Sequence, residues 1–222
     1  MNLPINKAEV LRYAGYRRKF TLSPELDGMV DAEMAAVQTI AKPRYTWHIF
    51  DLDAQTENVI KVIGTDLVLP GHDIYQHLKH AQKVALLAAT LGIEVERHTR
   101  QLEITAMTRA YLFDACCVDL IEKVCDLAQV VLAEEIADQG LVQNRRYSPG
   151  YGDLPLAVQP QFLQAVDANK TVGIQLTDSY LMIPRKSVTA LVGLFEDAQQ
   201  AKPKYRQPTD FTPAMLQSVP RK

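Results

Sequence analysis

Residues 83–92 read Lys-Val-Ala-Leu-Leu-Ala-Ala-Thr-Leu-Gly, and this stretch does most to set the expected fold. The apolar run from Val84 to Ala89 has the length of one strand, and Gly92 closes the segment. A short continuous apolar run with a turn residue at its end is typical of a strand buried on both faces. The run is far too short to cross a bilayer, which needs about 20 apolar residues. The sequence therefore predicts a buried strand at 83–90.

Helices and strands are mixed on both sides of this strand, without a repeating strand–helix–strand unit. Ser23 and Pro24 have the residue types of an N-cap and a first helical position. The helices are expected at 5–13, from Ser23 to about 37, at 73–80, at 93–139 with a break near 105–108, and at 159–166. The other strands are expected at 45–50, 58–63, 66–69, 180–183 and 188–195. This irregular order predicts an α+β fold, a mixed or antiparallel twisted sheet with flanking helices.

Composition is that of an ordinary folded protein. The chain has 222 residues, 47% hydrophobic and 23% charged, with a net charge of −2. Without a large basic block, binding driven by phosphate neutralisation is not expected, and we expect no nucleic-acid partner. One domain is expected over 1–197, with an N-terminal part (1–105) and a motif-bearing part (106–197). The polar end of the chain, 198–222, contains four prolines and is predicted to be a loose tail.

Cysteines and histidines suggest neither a disulfide framework nor a metal site. The chain has three cysteines, Cys116, Cys117 and Cys125, and no Cys-x-x-Cys pair. An odd number of cysteines does not suggest a disulfide framework, so a reducing cytoplasm is the expected location. No membrane association is expected. A redox enzyme built on Cys116–Cys117 is disfavoured, because both lie in an apolar helical pattern and adjacent cysteines bridge only with strain. His77 and His80 are interpreted as helix-surface or core histidines.

The segment 146–153, Arg-Tyr-Ser-Pro-Gly-Tyr-Gly-Asp, is the best candidate for a binding site. Pro149 fixes its own φ, and the glycines permit backbone conformations closed to other residues. Arg146 offers a planar fork suited to a carboxylate. Tyr151 offers an aromatic face, which attracts a cation by about 0.5–2 kcal/mol. A ligand with both a carboxylate and a positive centre would fit, but a structural turn with a packed tyrosine has the same composition.

Two motifs resemble a known family. The pattern Arg-x-x-Pro-Gly-Tyr at 146–151 is similar to that of the activation (reactivation) domain of cobalamin-dependent methionine synthase. A second block, Gly-Ile-Gln-Leu-Thr-Asp-Ser-Tyr-Leu-Met-Ile-Pro at 173–184, resembles the family's Gly-x-x-Leu-Thr-Glu-Ser-x-x-Met-x-Pro, and Ser187 and Val188 continue the match. The resemblance covers roughly 114–194. The residue patterns in the first hundred residues are similar to those of the stand-alone branch of the family.

The resemblance implies S-adenosylmethionine as the ligand and assigns roles in the loop. Arg146 is implied to hold the methionyl part, and Ser148, Gly150 and Tyr151 to line the ligand. The cysteine that follows this loop in the fusion enzyme is absent here.

The resemblance also implies an acidic contact from the preceding helix. It points to Glu122 and to Asp126, which share a helix face at a spacing of four residues. An anionic face suits the ammonium and sulfonium charges of the ligand. The alternative is a solvated acidic face paired with Lys123 or Arg145. For the family's acidic contact near the start of the domain, Asp51 or Asp53 is only a guess, and a further tyrosine late in the family domain has no defensible counterpart.

The implied function is reactivation of a corrinoid cofactor. In the family, methyl transfer from S-adenosylmethionine to the reduced corrinoid restores the active cofactor. Such a reaction needs alignment, which contributes on the order of several kcal/mol, and we expect no catalytic acid, base or nucleophile. The chain lacks the Asp-x-His-x-x-Gly signature of a cobalamin-binding module. Cobalamin is therefore expected on a partner, a corrinoid-binding methyltransferase, with a flavodoxin-like electron donor. The alternative is a non-catalytic module that senses S-adenosylmethionine or docks on another corrinoid protein.

Overall fold

The computed structural model describes residues 3–16, 21–201 and 211–222. Its strands are β1 (Arg44–Asp53), β2 (Val59–Val62), β3 (Val68–Pro70), β4 (Lys83–Thr90), β5 (Val142–Gln143), β6 (Gln175–Leu176), β7 (Met182–Ile183) and β8 (Ser187–Phe195). Its helices are α1 (Lys7–Tyr13), α2 (Pro24–Ile40), α3 (His72–Leu78), α4 (Ile93–Thr105), α5 (Met107–Ala137), α6 (Gln159–Ala165), α7 (Ala168–Thr171), α8 (Ala198–Ala201) and α9 (Pro213–Ser218), with a 3₁₀ turn at Leu156–Val158.

Strand β4 lies in the middle of an antiparallel sheet. Among the described residues, six strands pair in the order β3-β2-β1-β4-β8-β5. Both long neighbours run antiparallel to β4, with Lys83 opposite Asp51 of β1 and opposite Leu194 of β8. Every residue from Val84 to Thr90 is buried. The prediction of a buried strand at 83–90 is confirmed, and so is the α+β class.

The sheet separates two apolar clusters because alternate side chains of a strand point to opposite faces. Ala85, Leu87 and Ala89 of β4 belong to the cluster that also contains the buried residues of α1, α2, α4 and α5. Val84, Leu86 and Ala88 belong to the other cluster, formed with α3, α6 and α7. Helices thus cover both faces of the sheet, and the long α5 is the helix that brings polar side chains to the candidate site.

Helix boundaries follow the expected local signals. Ser23 Oγ accepts a hydrogen bond from the N–H of Leu26 at 3.2 Å, with Pro24 at the first helical position. Ala106, in an extended conformation (φ −160°, ψ 76°), separates α4 from α5, as the break predicted near 105–108 requires. In the part of the chain that is described, no helix has the length and apolar character needed to cross a bilayer.

The prediction of a loose tail over 198–222 is wrong for the described residues. Ala201, at the end of α8, is buried. Residues 202–210 lie outside the described part of the chain. Beyond them, Phe211, Met215 and Leu216 pack against the core that contains α5. Thr46 Oγ1 donates to the carbonyl of Lys222 at 2.7 Å. The polar and proline-rich composition concealed a short apolar stripe that docks on the sheet.

Candidate ligand-binding site

The loop at 144–155 is held in one conformation by its own backbone and by β8. Tyr147 exchanges two backbone hydrogen bonds with Leu191, at 2.9 and 2.7 Å. The Tyr147 hydroxyl donates to the carbonyl of Tyr151 at 3.0 Å. Gly150 has φ +90° and donates its N–H to the carbonyl of Leu154 at 2.8 Å. The structural role of Gly150 is therefore conformational, because its N–H is already bonded and its φ disfavours a side chain.

Arg146 joins this loop to α5. Its Nη1 donates to Asp126 Oδ1 at 2.9 Å and to Gln129 Oε1 at 2.7 Å. Its Nη2 donates to Glu122 Oε2 at 2.9 Å. The three acceptors are spaced by four and three residues, so they share one face of α5. Arginine has five N–H donors, and two of those on Arg146 have no hydrogen-bond partner among the described residues.

The charges of this cluster do not cancel. Burial alone would lower the pKa of Arg146, but the neighbouring Cys125, Asp126 and Glu122 outweigh it, and the pKa lies above its ordinary value. Arg146 is thus a permanent cation between two carboxylates, and the cluster has a net charge of −1. Both carboxylates pair with Arg146, whereas the alternative interpretation of the sequence paired this acidic face with Lys123 or Arg145. The cluster can attract a cationic group and still offer two N–H groups to a carboxylate.

A cavity of about 460 Å³ opens beside the cluster. This volume lies within the range of sites for small organic ligands. Its wall is formed by α5, the 144–155 loop, the 3₁₀ turn, the β6–β7 hairpin and the start of β8. The lining residues are Glu122, Gln129, Arg145, Arg146, Ser148, Pro149, Tyr151, Leu156, Gln159, Tyr180, Leu181, Met182, Ser187, Val188 and Thr189. Of the predicted site residues, Arg146, Ser148, Tyr151 and Glu122 line the cavity, whereas Gly150 and Asp126 do not.

The second sequence motif forms a hairpin at this cavity. Strands β6 and β7 pair at Gln175–Ile183 and Leu176–Met182. The strands predicted at 180–183 and 188–195 correspond to β7 and β8, of which β7 pairs with β6 while β8 enters the large sheet between β4 and β5. Tyr180, in the turn, and Met182, on β7, reach the wall of the cavity. The two motifs are thus about 30 residues apart in sequence but meet at one site.

Gln129 is a site residue that the sequence analysis missed. Its side chain is 1% exposed, and its Nε2 donates to Gln143 Oε1 and to the carbonyl of Asn144, both at 3.3 Å. The amide oxygen is therefore directed at Arg146. The available signal was its position three residues after Asp126, on the same helix face.

Asp153 is a second residue that was not predicted from the sequence, and it connects the loop to helix α3. Its carboxylate accepts hydrogen bonds from the N–H groups of His72 at 2.6 Å and of Asp73 at 3.2 Å. These are the first residues of α3, whose N-cap, Gly71, has no side chain to cap with. A carboxylate at a helix N-terminus is favourable because it satisfies otherwise unbonded N–H groups. The last residue of the quoted motif thus ties the loop to α3.

The candidates for an N-terminal acidic contact lie elsewhere. Asp51 Oδ1 accepts from Lys83 Nζ at 2.8 Å, and Asp53 Oδ1 accepts from the N–H of Gln55 at 3.0 Å. Neither residue lines the cavity. The guess of Asp51 or Asp53 therefore has no support in the geometry.

The environments of His77 and of the buried cysteines suit a structural role. His77 Nε2 lies 3.0 Å from the carbonyl oxygen of Arg145, and burial lowers the pKa of His77 to about 4. Burial raises the pKa of the Cys116 and Cys125 thiols to about 12, so neither is a thiolate at neutral pH. In residues 3–16, 21–201 and 211–222, no cluster of three or more His, Cys, Asp or Glu side chains is arranged to hold a metal ion.

The fold is that of an α+β protein, with a cavity of small-molecule size beside its antiparallel sheet. Residues 75–202 match the family described as vitamin B12 dependent methionine synthase, activation domain, and since this is more than half of the chain, the protein belongs to that family. Its structure is similar to the crystal structure of the MetH reactivation domain bound to AdoHcy, with a TM-score of 0.60 and 16% sequence identity. The match covers 78% of this chain and 66% of that chain, slightly less than two thirds of its length. At this identity the likeness concerns the fold. No curated protein gives a significant sequence match.

Proposed function

We propose that this protein binds S-adenosylmethionine in the cavity beside Arg146 and presents its methyl group to a corrinoid held by a partner methyltransferase. The observation that carries the proposal is Arg146 itself, held between Glu122 and Asp126 with two N–H groups that have no hydrogen-bond partner among the described residues. Membership of the activation-domain family supports the assignment. The AdoHcy in the crystal structure of the MetH reactivation domain supports it further, because AdoHcy is what remains of this donor after methyl transfer.

The charges of the ligand fit those of the site. S-adenosylmethionine carries a carboxylate, an ammonium and a sulfonium at neutral pH. The site offers counter-charges for both signs, with Glu122 and Asp126 as carboxylates and Arg145 and Arg146 as cations. The unbonded N–H groups of Arg146 suit the carboxylate. Glu122 is 46% exposed and Asp126 24%, so Glu122 is the more accessible acceptor for the ammonium. The Ser148 hydroxyl lines the cavity and has no hydrogen-bond partner among the described residues.

The residues of the cavity are suited to positioning. The corrinoid, when a partner supplies it in reduced form, provides the cobalt that accepts the methyl group, and S-adenosylhomocysteine leaves. The protein then has to bind the donor, orient the S–CH₃ bond and limit access of water. No proton needs to move, and the described residues that line the cavity include neither histidine nor cysteine. Alignment of two reacting groups contributes on the order of several kcal/mol. We propose a cytoplasmic setting with a flavodoxin-like electron donor.

Two measurements test the proposal in sequence. Titration calorimetry of the purified protein with S-adenosylmethionine should show binding at one site, and the absence of binding would remove the proposal. Methyl-labelled S-adenosylmethionine is then mixed with the protein, a cobalamin-loaded partner and a chemical reductant. Label that moves to the corrinoid supports transfer. Binding without transfer to the corrinoid would favour the sensing or docking alternative.

A further inference from the structure

Tyr180 has an unusual backbone conformation at the cavity. Its φ is +64°, in the left-handed region that residues other than Gly, Asn and Asp rarely adopt. The turn holds it there: Tyr180 donates its N–H to the carbonyl of Thr177 at 3.0 Å, and Leu181 donates its N–H to Thr177 Oγ1 at 3.1 Å. An asparagine or glycine would suit this turn better than a tyrosine.

The Tyr180 side chain has no evident structural task. It is 40% exposed, it lines the cavity, and its hydroxyl has no hydrogen-bond partner among the described residues. Burial in the core and a hydroxyl bond are the usual reasons for a tyrosine at a fixed position, and neither accounts for this one. An unfavourable backbone conformation that is retained beside a cavity favours a role for the side chain in that cavity.

The lining of the cavity includes both charged and aromatic side chains. Glu122, Gln129, Arg145 and Arg146 supply charged and amide groups from α5 and the start of the loop. Tyr151, which is 63% exposed, and Tyr180 supply two rings from separate segments. The apolar side chains of Leu156, Leu181 and Met182 complete the second group. A ligand with a charged part and a flat aromatic part would match both groups.

We infer that Tyr180 is a specificity-determining residue whose ring, with that of Tyr151, forms the wall for the adenine base. The inference rests on the proposed function, since it places the methionyl part of S-adenosylmethionine at the charged group. Aromatic rings stack on a flat base in an offset arrangement. The Glu122 carboxylate lies in the other group, where it attracts the ammonium and sulfonium, so the rings are available to the base.

The experiment compares Tyr180→Asn, which suits the turn but removes the ring, with Tyr180→Phe, which keeps the ring. Tyr180→Gly is a second ring-free variant that also tolerates the positive φ. Tyr111→Ala is the matched control, because Tyr111 is an exposed tyrosine of α5 that does not line this cavity. Each protein is titrated with S-adenosylmethionine and with S-adenosylhomocysteine, and its Tm is measured.

Loss of the ring should raise Kd for both ligands by about tenfold, because an aromatic ring that stacks on a base contributes to binding. Tyr180→Phe should bind within about twofold of the wild type, Tyr111→Ala should bind normally, and the ring-free variants should keep or raise their Tm. Unchanged Kd in both ring-free variants would overturn the inference while the proposed function stands. A loss confined to S-adenosylmethionine would also overturn it, because the ring would then contact the sulfonium. If the wild type binds neither ligand, both the proposed function and this assignment of Tyr180 are refuted.

Discussion

Replacing Arg146 by alanine removes the side chain that holds the loop against α5. Asp126 loses a partly buried charge-assisted hydrogen bond, which contributes about 1.5–3 kcal/mol. Gln129 Oε1, on a side chain that is 1% exposed, loses its donor, and an unsatisfied buried acceptor costs about 1–3 kcal/mol. The half-exposed pair with Glu122 adds about 0–1 kcal/mol. Since these effects are not fully additive, we expect a loss of roughly 3 kcal/mol in the free energy of unfolding.

For a chain of this length, 1 kcal/mol corresponds to about 2–4 °C in Tm. Arg146→Ala should therefore unfold roughly 6–12 °C below the wild type in a thermal scan followed by circular dichroism. At 20 °C the variant should still be folded, so ligand binding can be measured separately. Loss of charge-assisted bonds to the ligand carboxylate should raise Kd for S-adenosylmethionine by about 10- to 100-fold in calorimetry.

Arg109→Ala is the control for destabilisation without a change in the site. Arg109 Nε donates to the fully buried Glu33 at 2.6 Å, far from the residues that line the cavity. Its loss leaves a buried carboxylate unpaired, so this variant should also lose stability. Its Kd should be that of the wild type. A folded Arg146→Ala protein with unchanged Kd, or an equal rise in Kd in the Arg109 control, would refute the assignment of Arg146 as a ligand contact.

Three further outcomes follow from the same contacts. Asp153→Ala removes the cap of α3 and should cost about 0.5–2 kcal/mol, seen as a lower Tm and faster proteolysis of the 144–155 loop; unchanged cleavage would show that the cap does not hold the loop. Gly150→Ala places a Cβ 3.1 Å from Leu156 at φ +90° and should destabilise by about 1–3 kcal/mol, measured by urea unfolding; a variant as stable as the wild type would contradict the conformational role. Because the pKa of folded His77 is about 4 and that of an unfolded histidine about 6.5, its contribution to stability is complete above pH 6.5 and is lost as the pH falls towards 4. The wild type should therefore lose Tm across that window, and His77→Gln should lose less; equal slopes, or a similar effect of the His80→Gln control, would exclude His77 as the cause.

Much of the fold was predictable because its signals are local. The strand at 83–90, the Ser23 cap and the break at Ala106 depend on the conformational preferences of neighbouring residues and on their periodicity. The same holds for the loop at 146–151, where proline and glycine restrict the backbone by themselves. The packing of 211–222 could not be predicted from local rules. A stripe of a few apolar residues becomes ordered only against a complementary apolar surface, and the sequence does not show where that surface lies.

The amino-acid sequence by itself determined most of the longer helices and strands, and which two motifs contribute to the cavity. Only the tertiary structure decided how they meet. Arg146 and Gln129 are 17 residues apart, and Tyr180 lies 34 residues beyond Arg146, yet all three line one cavity. The pairing of β7 with β6, and not with β8, likewise depends on which edges are available once the large sheet has formed. The local propensity of a segment carries no information about such contacts. Ion pairs, strand pairs and cavity walls form between segments that only tertiary packing brings together, so their free energy depends on the folded arrangement.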